Sequence, residues 1–311
     1  MTTCLYVYPA SNHRVKPKTL AEIEKPPNNG ICTGVFGTIL QNLKDNSEHL
    51  PSIPSVCIRV KKALANPNTN VQCLTKLIAR DPALSAFLIK AGTSPAYRSG
   101  PTNPSLDQVV RFLGFETIKN LVVLHSVKSL FFNQHKELKH LCNYTWRLLA
   151  IKAGIATLLA RKTQFTPIDH AMLAAIYTEL GSLAILSVLR SSPNLPDLAG
   201  YIGLCRSYSV SISTLILHKW QSEQEFIETV KHLGQWQYCH DGDLDLFDLV
   251  NLAHYHSLAL LTRGHVKLPP VYQLSAFYKL PKALSNINDQ GLLTEVVDDK
   301  ITLARLANTF L

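Results

Sequence analysis

Three stretches of the chain carry side chains that could do chemistry. In AMLAAIYTELGSLAILSVL (171–189) one carboxylate, Glu179, stands at the centre of an otherwise apolar run. A lone acid in such surroundings needs a partner, a wet groove or a proton. In HDGDLDLFD (240–248), Asp241, Asp243 and Asp245 alternate as the ligands of a calcium loop do. The loop test fails, because the sixth position is Leu246 where Gly is needed and the twelfth is Leu252 where a bidentate Glu is needed. Acids ahead of the apolar run that follows are better explained as favourable charges at a helix N-terminus. His254 and His256 are two apart, so on a helix they point about 200° from each other and cannot share a metal face. His218, His232 and His240 lack a supporting pattern and read as core-edge or solvated side chains.

Other chemistries find no motif. The chain has no G-x-S-x-G elbow, no G-x-G-x-x-G and no G-x-x-x-x-G-K-[ST], so neither an activated serine nor a nucleotide cradle is encoded. Its seven cysteines are scattered, odd in number and never arranged C-x-x-C, which argues against a disulfide framework or a zinc knuckle. A reducing, cytoplasmic setting fits that usage. The opening MTTCLYVYPASNHR has no basic region followed by a long apolar one, so export is not expected. A charge at the centre of 171–189 would cost about 2.5–3.5 kcal/mol on insertion scales, and the run reads as a helix buried in a core, without membrane insertion.

Positive charge is concentrated. The whole chain carries +9, and residues 51–130 hold ten Lys and Arg against three Asp and Glu. Such a face attracts phosphate or an acidic protein surface. The basic residues are spaced as on a helical surface, without aromatic interleaving or dense Arg runs, which disfavours nucleic acid as the partner.

The elements that must position these residues are helices. With 46% hydrophobic and 17% charged residues the chain is globular, and neither disordered nor a simple coiled coil. Prolines at 9, 17, 26 and 27 keep long helices out of the first 30 residues, although CLYVY (4–8) suits a short strand. Val35, Ile39, Leu40 and Leu43 begin a helical stripe, and Val56, Val60, Ala63 and Leu64 continue one after LPSIPSV. Asn70 caps the next helix, and Asp81-Pro82 supplies both a cap and a proline at the first position of another. Ser105 caps LDQVVRFL, and Gly114 ends it where a left-handed residue is needed. Helical patterns persist over Leu141–Leu159, Ala171–Leu189, Val210–Trp220, Gln224–Leu233 and Leu246–Leu261. A last amphipathic stripe runs through Val297, Ile301, Ala304 and Leu306. No region shows sustained strand alternation, so the fold class is all-α.

The order of these signals resembles a known family. LPSIPSVCIRVKKALANPNTNVQCLTKLIARDPALSAFLIKAGTSPAYRSGPTNPSLDQVVRFLGFETIKNLVVLHSVKSLF (50–131) combines an L-P-x-I-P opening, a D-P-A-L step, an S-P-A-Y loop and an S-L-x-x-V-x-x-x-L-G turn. Together these resemble the N-terminal half of an HDOD domain, the HD-related output domain of bacterial signalling proteins. The resemblance continues through Trp146-Arg147, A-I-Y-T-E-L-G (175–181) and the segment ending at Trp220. It implies a two-lobed helical domain over 35–264, with lobes at 35–135 and 140–262. Extensions over 1–34 and 265–311 flank it, the second of them helical and able to pack back on the domain or on another chain.

HDOD domains resemble HD phosphohydrolases, whose His and Asp side chains hold divalent metal that activates water against a phosphoester. The resemblance places those ligands at Leu148, Thr178, Glu179 and His254, with further frequent His positions at Ser209, Leu233 and Gly234. None of the four basic positions keeps its residue type, although Glu179 and His254 could still coordinate. A hydrolytic metal needs about three protein ligands and an open position. The expectation is therefore a protein without catalytic residues, metal or other cofactor, its old cleft partly filled by Leu148. It would act in signalling or regulation through contact with other signalling proteins or a second copy of itself. Trp146, Trp220 and Trp236 read as core side chains, with an exposed anchor as the other reading of Trp236. Arg59, Lys61, Lys62, Arg98 and Trp236 are the candidate partner or ligand surface, beside an exposed groove between the lobes. The competing classes are an HD-type phosphohydrolase with an altered metal site and a regulator that binds nucleotide or nucleic acid.

Overall fold

The structure is a computed structural model that describes residues 6–7, 34, 37–38, 55–94, 97, 103–132, 136–192, 194–240, 242–262 and 266–299. The stripe positions Val35, Ile39, Leu40 and Leu43, together with Arg98, Asp241, Ile301, Ala304 and Leu306, lie outside these residues. Within them the chain is helical, in two groups. The first comprises α1 (Ser55–Leu64), α2 (Val71–Ile78), α3 (Pro82–Gly92) and α4 (Leu106–Phe132). The second comprises α5 (Lys139–Thr163), α6 (Ile168–Tyr177), α7 (Leu180–Leu189), α8 (Leu198–Lys219), α9 (Gln224–Lys231) and α10 (Leu246–Thr262). This is the all-α, two-lobed arrangement expected from the sequence.

The short helices of the first lobe start where their caps stand. Asn70 accepts the Cys73 amide at 2.9 Å and Asp81 accepts the Leu84 amide at 3.0 Å, with Pro82 in the first turn of α3. Ser105 and Gln108 cap α4 reciprocally, the Ser105 hydroxyl accepting the Gln108 amide while the Gln108 side chain accepts the Ser105 amide. Gly114 breaks α4 with φ 79° and ψ 165°. That is an extended positive-φ conformation essentially confined to glycine, not the left-handed helical turn its position suggested. The helix resumes at once and carries Ile118, Leu121, Val122 and Leu124 into the core.

The second lobe wraps α5, which packs against α6 and α10, while α7 packs against α8. The apolar run 171–189 is two helices instead of one, broken at Thr178-Glu179. The span Ile168–Leu189 is long and apolar enough to cross a membrane, and 89% of its most apolar window is buried inside the fold. Gly181 follows the break because α8 crosses there. A Cβ on this glycine would stand 2.0 Å from the Ser209 carbonyl oxygen.

One hydrophobic cluster runs from Val56 to Val296 and joins both lobes to the C-terminal extension. Between the lobes, the buried Asn120 amide of α4 donates to Asp169 of α6 at 2.7 Å. The extension packs back on the second lobe through two short helices, α11 (Ser275–Tyr278) and α12 (Thr294–Asp298), joined by turns. Its backbone is tied down by a Ser275 amide to Trp236 carbonyl bond of 2.9 Å and a Leu293 amide to His256 Nε2 bond of 3.1 Å. Two two-residue strands, β1 (Tyr6–Val7) and β2 (Val266–Lys267), pair in parallel and join the N-terminal segment to the start of this extension.

Candidate functional site

The break at Thr178-Glu179 builds the centre of the second lobe. The Thr178 hydroxyl donates back to the Ala175 carbonyl at 2.6 Å, and Glu179 turns toward α5. Lys152 of α5 meets it there. Its ammonium donates to the Thr178 hydroxyl at 2.7 Å and forms an ion pair with Glu179 Oε1. The lysine side chain is 0% exposed and that of Glu179 is 6% exposed. Glu179 Oε2 accepts the Ser182 hydroxyl of α7 at 2.6 Å, and Ser182 lies 3.0 Å from the Ser209 hydroxyl of α8. Since the Ser182 proton points at the carboxylate, Ser209 is the donor of that last bond. The Ser213 hydroxyl accepts the Gly181 amide at 2.7 Å and donates to the Thr178 carbonyl at 3.3 Å. The polar groups form one connected network, as a low-dielectric interior requires.

His254 of α10 borders this network. It is buried, its ring stacks on Trp236 at 5.7 Å, and its Nδ1 has no hydrogen-bond partner among the described residues. Burial, and then the charge of Lys152, hold its pKa well below the usual histidine value, so the ring is neutral. His256 faces the other side of α10, as the two-residue spacing predicts. It donates from Nδ1 to the Leu252 carbonyl at 2.8 Å and accepts the Leu293 amide, and burial pushes its pKa down to about 4.

The predicted positions divide. Thr178, Glu179 and Ser209 share the network, and Leu148 is buried one turn before Lys152 on the same helix. Leu233 and Gly234 do not join through any hydrogen bond; Gly234 closes the end of α9 at φ 77° and donates to Asn251 at 2.9 Å. Trp236 is 7% exposed and packs on His254 and Tyr255, so it is a core side chain and its place on an exposed partner surface is corrected. Arg59 and Lys62 are exposed on α1 and Lys61 half-buried. Beside Lys61, a small cleft between the lobes is lined by Lys119 and Asn120 on one side and Tyr177, Ser222 and Glu223 on the other. Lys119 crosses it to Glu223 at 2.9 Å.

Two features escaped sequence reasoning. Lys152 was not singled out; its signal is a lysine four residues after Leu148 in a helix that is apolar nearly all round. The second is a cluster at the rim, where ligand-type atoms of His240, Asp245 and Asp248 lie within 4.8 Å of one another. His240 Nε2 is 2.8 Å from Asp245, and the Lys279 ammonium of the extension stands 3.2 Å from Asp248 and 2.8 Å from His240 Nε2. Asp245 and Asp248 also exchange backbone bonds as a capping pair for α10, in line with acids at a helix N-terminus.

Comparison with known proteins agrees with this architecture. Residues 50–196 match the family model described as the HDOD domain, and the described residues share the helical fold of HDOD and HD-like structures. A proposed metal-dependent phosphohydrolase from Shewanella amazonensis SB2B superposes with a TM-score of 0.67 at 20% identity, covering 89% of this chain and 98% of that one. An HDOD domain protein of unknown function from Geobacter sulfurreducens gives 0.62 at 17% identity over 88% and 98% of the two chains. A proposed signal transduction protein from Marinobacter aquaeolei VT8 gives 0.55 at 18% identity over 93% and 68%. Among curated proteins, an uncharacterized protein of Treponema pallidum (strain Nichols) is 22% identical over 139 residues, which span 45% of this chain and only 27% of that protein.

Proposed function

We propose that this chain is a non-catalytic, cytoplasmic signal-transduction module that works by contact with other proteins. The observation that carries the reading is Lys152, whose ammonium binds the carboxylate at the position that resemblance assigns to a metal ligand. The residues present do not fit a divalent ion. Leu148 offers no donor atom, Thr178 already receives the ammonium, and Glu179 spends both oxygens on Lys152 and Ser182. An ion placed on Glu179 would face a positive charge in a site that excludes water. Hydrolysis at an activated water needs an open metal position, and His254, the imidazole beside the pair, is buried against Trp236 and made a weak base by desolvation.

What is left to act is surface. Lys61 lines the cleft between the lobes, and the exposed Arg59 and Lys62 of the same helix add positive charge that would attract an acidic protein surface. The description of the Marinobacter protein as a proposed signal transduction protein points the same way. The test is a metal analysis with a phosphodiesterase assay, followed by capture of partners from the native cell. The expected result is no stoichiometric divalent metal, no turnover, and a signalling protein whose capture is lost when Arg59 and Lys62 are both changed to Glu. Turnover abolished by Glu179→Ala would overturn the proposal.

A further inference from the structure

We infer that Lys152 is a resident cation that replaces a metal ion, so that the centre of the second lobe is complete without one. The inference deepens the non-catalytic reading and rests on it. A lysine stripped of water is destabilising by several kcal/mol unless its charge is matched. Here it is matched by one carboxylate, and the contacts it makes are those by which an ion would join helices. Its ammonium bonds Glu179 and Thr178 at the corner between α6 and α7, and Glu179 passes the connection to Ser182 of α7 and Ser209 of α8.

The neighbouring imidazole fits the same account. His254 is buried against Trp236 and its Nδ1 makes no hydrogen bond among the described residues, so the ion pair that meets at the centre is that of Lys152 with Glu179. A lysine placed only to fill volume would not need this surrounding. The hydroxyls of Thr178, Ser182, Ser209 and Ser213 are all buried and all hydrogen-bonded. Thr178 and Ser182 bond the charge pair directly, Ser209 bonds Ser182, and Ser213 bonds the backbone of Thr178 and Gly181.

The replacement makes a sharp prediction about what happens when the ammonium is removed. Lys152→Ala leaves Glu179 as a buried carboxylate with an adjoining space and no counter-charge, which is the condition for taking up a free cation. The experiment is thermal unfolding of the full chain, followed by circular dichroism, in chelator and in manganese(II) chloride. The wild-type melting temperature is expected to be the same in both. Lys152→Ala is expected to melt about 10 °C lower in chelator, the size expected for a broken buried pair in a domain of this length. Saturating Mn²⁺ is expected to recover about 5 °C of that loss, by mass action on the folded state. Lys152→Ala combined with Glu179→Gln, which removes both charges, is expected to melt above the single variant and to ignore Mn²⁺.

If the single variant is unfolded in chelator, recovery of its helical signal by Mn²⁺ is the supporting result. Three outcomes overturn the inference: a wild-type chain stabilised by Mn²⁺, a Lys152→Ala chain indifferent to it, or a double variant as unstable as the single one. These are separable from the parent proposal. Wild-type turnover would sink the non-catalytic reading, whereas a silent wild type with an indifferent Lys152→Ala would sink only the role of the lysine.

Discussion

Lys152 and Lys279 each pair with an acid, in two different settings. Around Lys152 the group is sealed, with the ammonium wholly buried, a single carboxylate and four hydroxyls supplied by Thr178 at the corner after α6, Ser182 of α7, and Ser209 and Ser213 of α8. Around Lys279 it lies at the rim, where His240 is 25% and Asp245 38% exposed and only Asp248 is fully buried. At the rim each acid has a second task. Asp245 and Asp248 cap α10, and burial, followed by the nearby charge of Asp245, raises the Asp248 pKa despite Lys279. Water and caps share the load there, so the loss of one partner is tolerated. In the sealed group no neighbouring side chain among the described residues takes over a missing charge. The comparison teaches that the same residue types are a surface clamp in one place and an obligate pair in the other, and that exposure decides which.

The largest effect expected from this difference is that of Glu179→Ala. It leaves Lys152 buried without a counter-charge and should cost about 3–5 kcal/mol in urea unfolding. A loss below about 1 kcal/mol would show that the centre is wetter than the geometry indicates.

Acid should act next. The pKa of His256 falls to about 4 in the folded chain, and that of His254 also falls, against about 6.5 when unfolded. For groups with depressed folded values, the stability is fully present above about pH 6.5 and is lost as pH falls toward the folded value. His256 alone contributes about 3 kcal/mol across that window. Asp169 and Asp248, raised chiefly by burial, pull the other way at lower pH, in the carboxylate range. Unfolding free energy measured between pH 7 and pH 4 should fall, and His256→Gln should flatten the slope.

Gly181→Ala probes the packing of the sealed centre, because its Cβ would stand 2.0 Å from the Ser209 carbonyl oxygen and would force α7 and α8 apart. A loss of about 1–3 kcal/mol is expected from overpacking. The smallest effect should come from Lys279→Met at the rim, about 1 kcal/mol by the same measurement. Asp248 keeps the Asp245 amide at 3.1 Å and His240 at 3.3 Å. A cost for Lys279→Met equal to that of Glu179→Ala would erase the distinction between the two groups.

Much of the fold was legible because caps and periodicity act locally. Asn70, Asp81 and Ser105 make the bonds their positions predict. The break inside 171–189 was not legible. Thr-Glu-Leu suits a helix interior, and the chain turns there because Glu179 is drawn to a lysine 27 residues away. Lys152 stayed hidden for the same reason, since a lysine in sequence reads as a solvated side chain and only the tertiary fold shows it dry. Trp236 suited either core or surface until its stacking on His254 was seen. The rim cluster joins His240 to acids five and eight residues on and to Lys279 from the extension, a juxtaposition that no local spacing encodes.

Titration of the wild-type chain with Mn²⁺ by calorimetry, with phosphodiester turnover followed in the same samples, tests the central claim most directly. The account predicts no saturable heat and no product. A stoichiometric ion, lost together with turnover in Glu179→Ala, would contradict it.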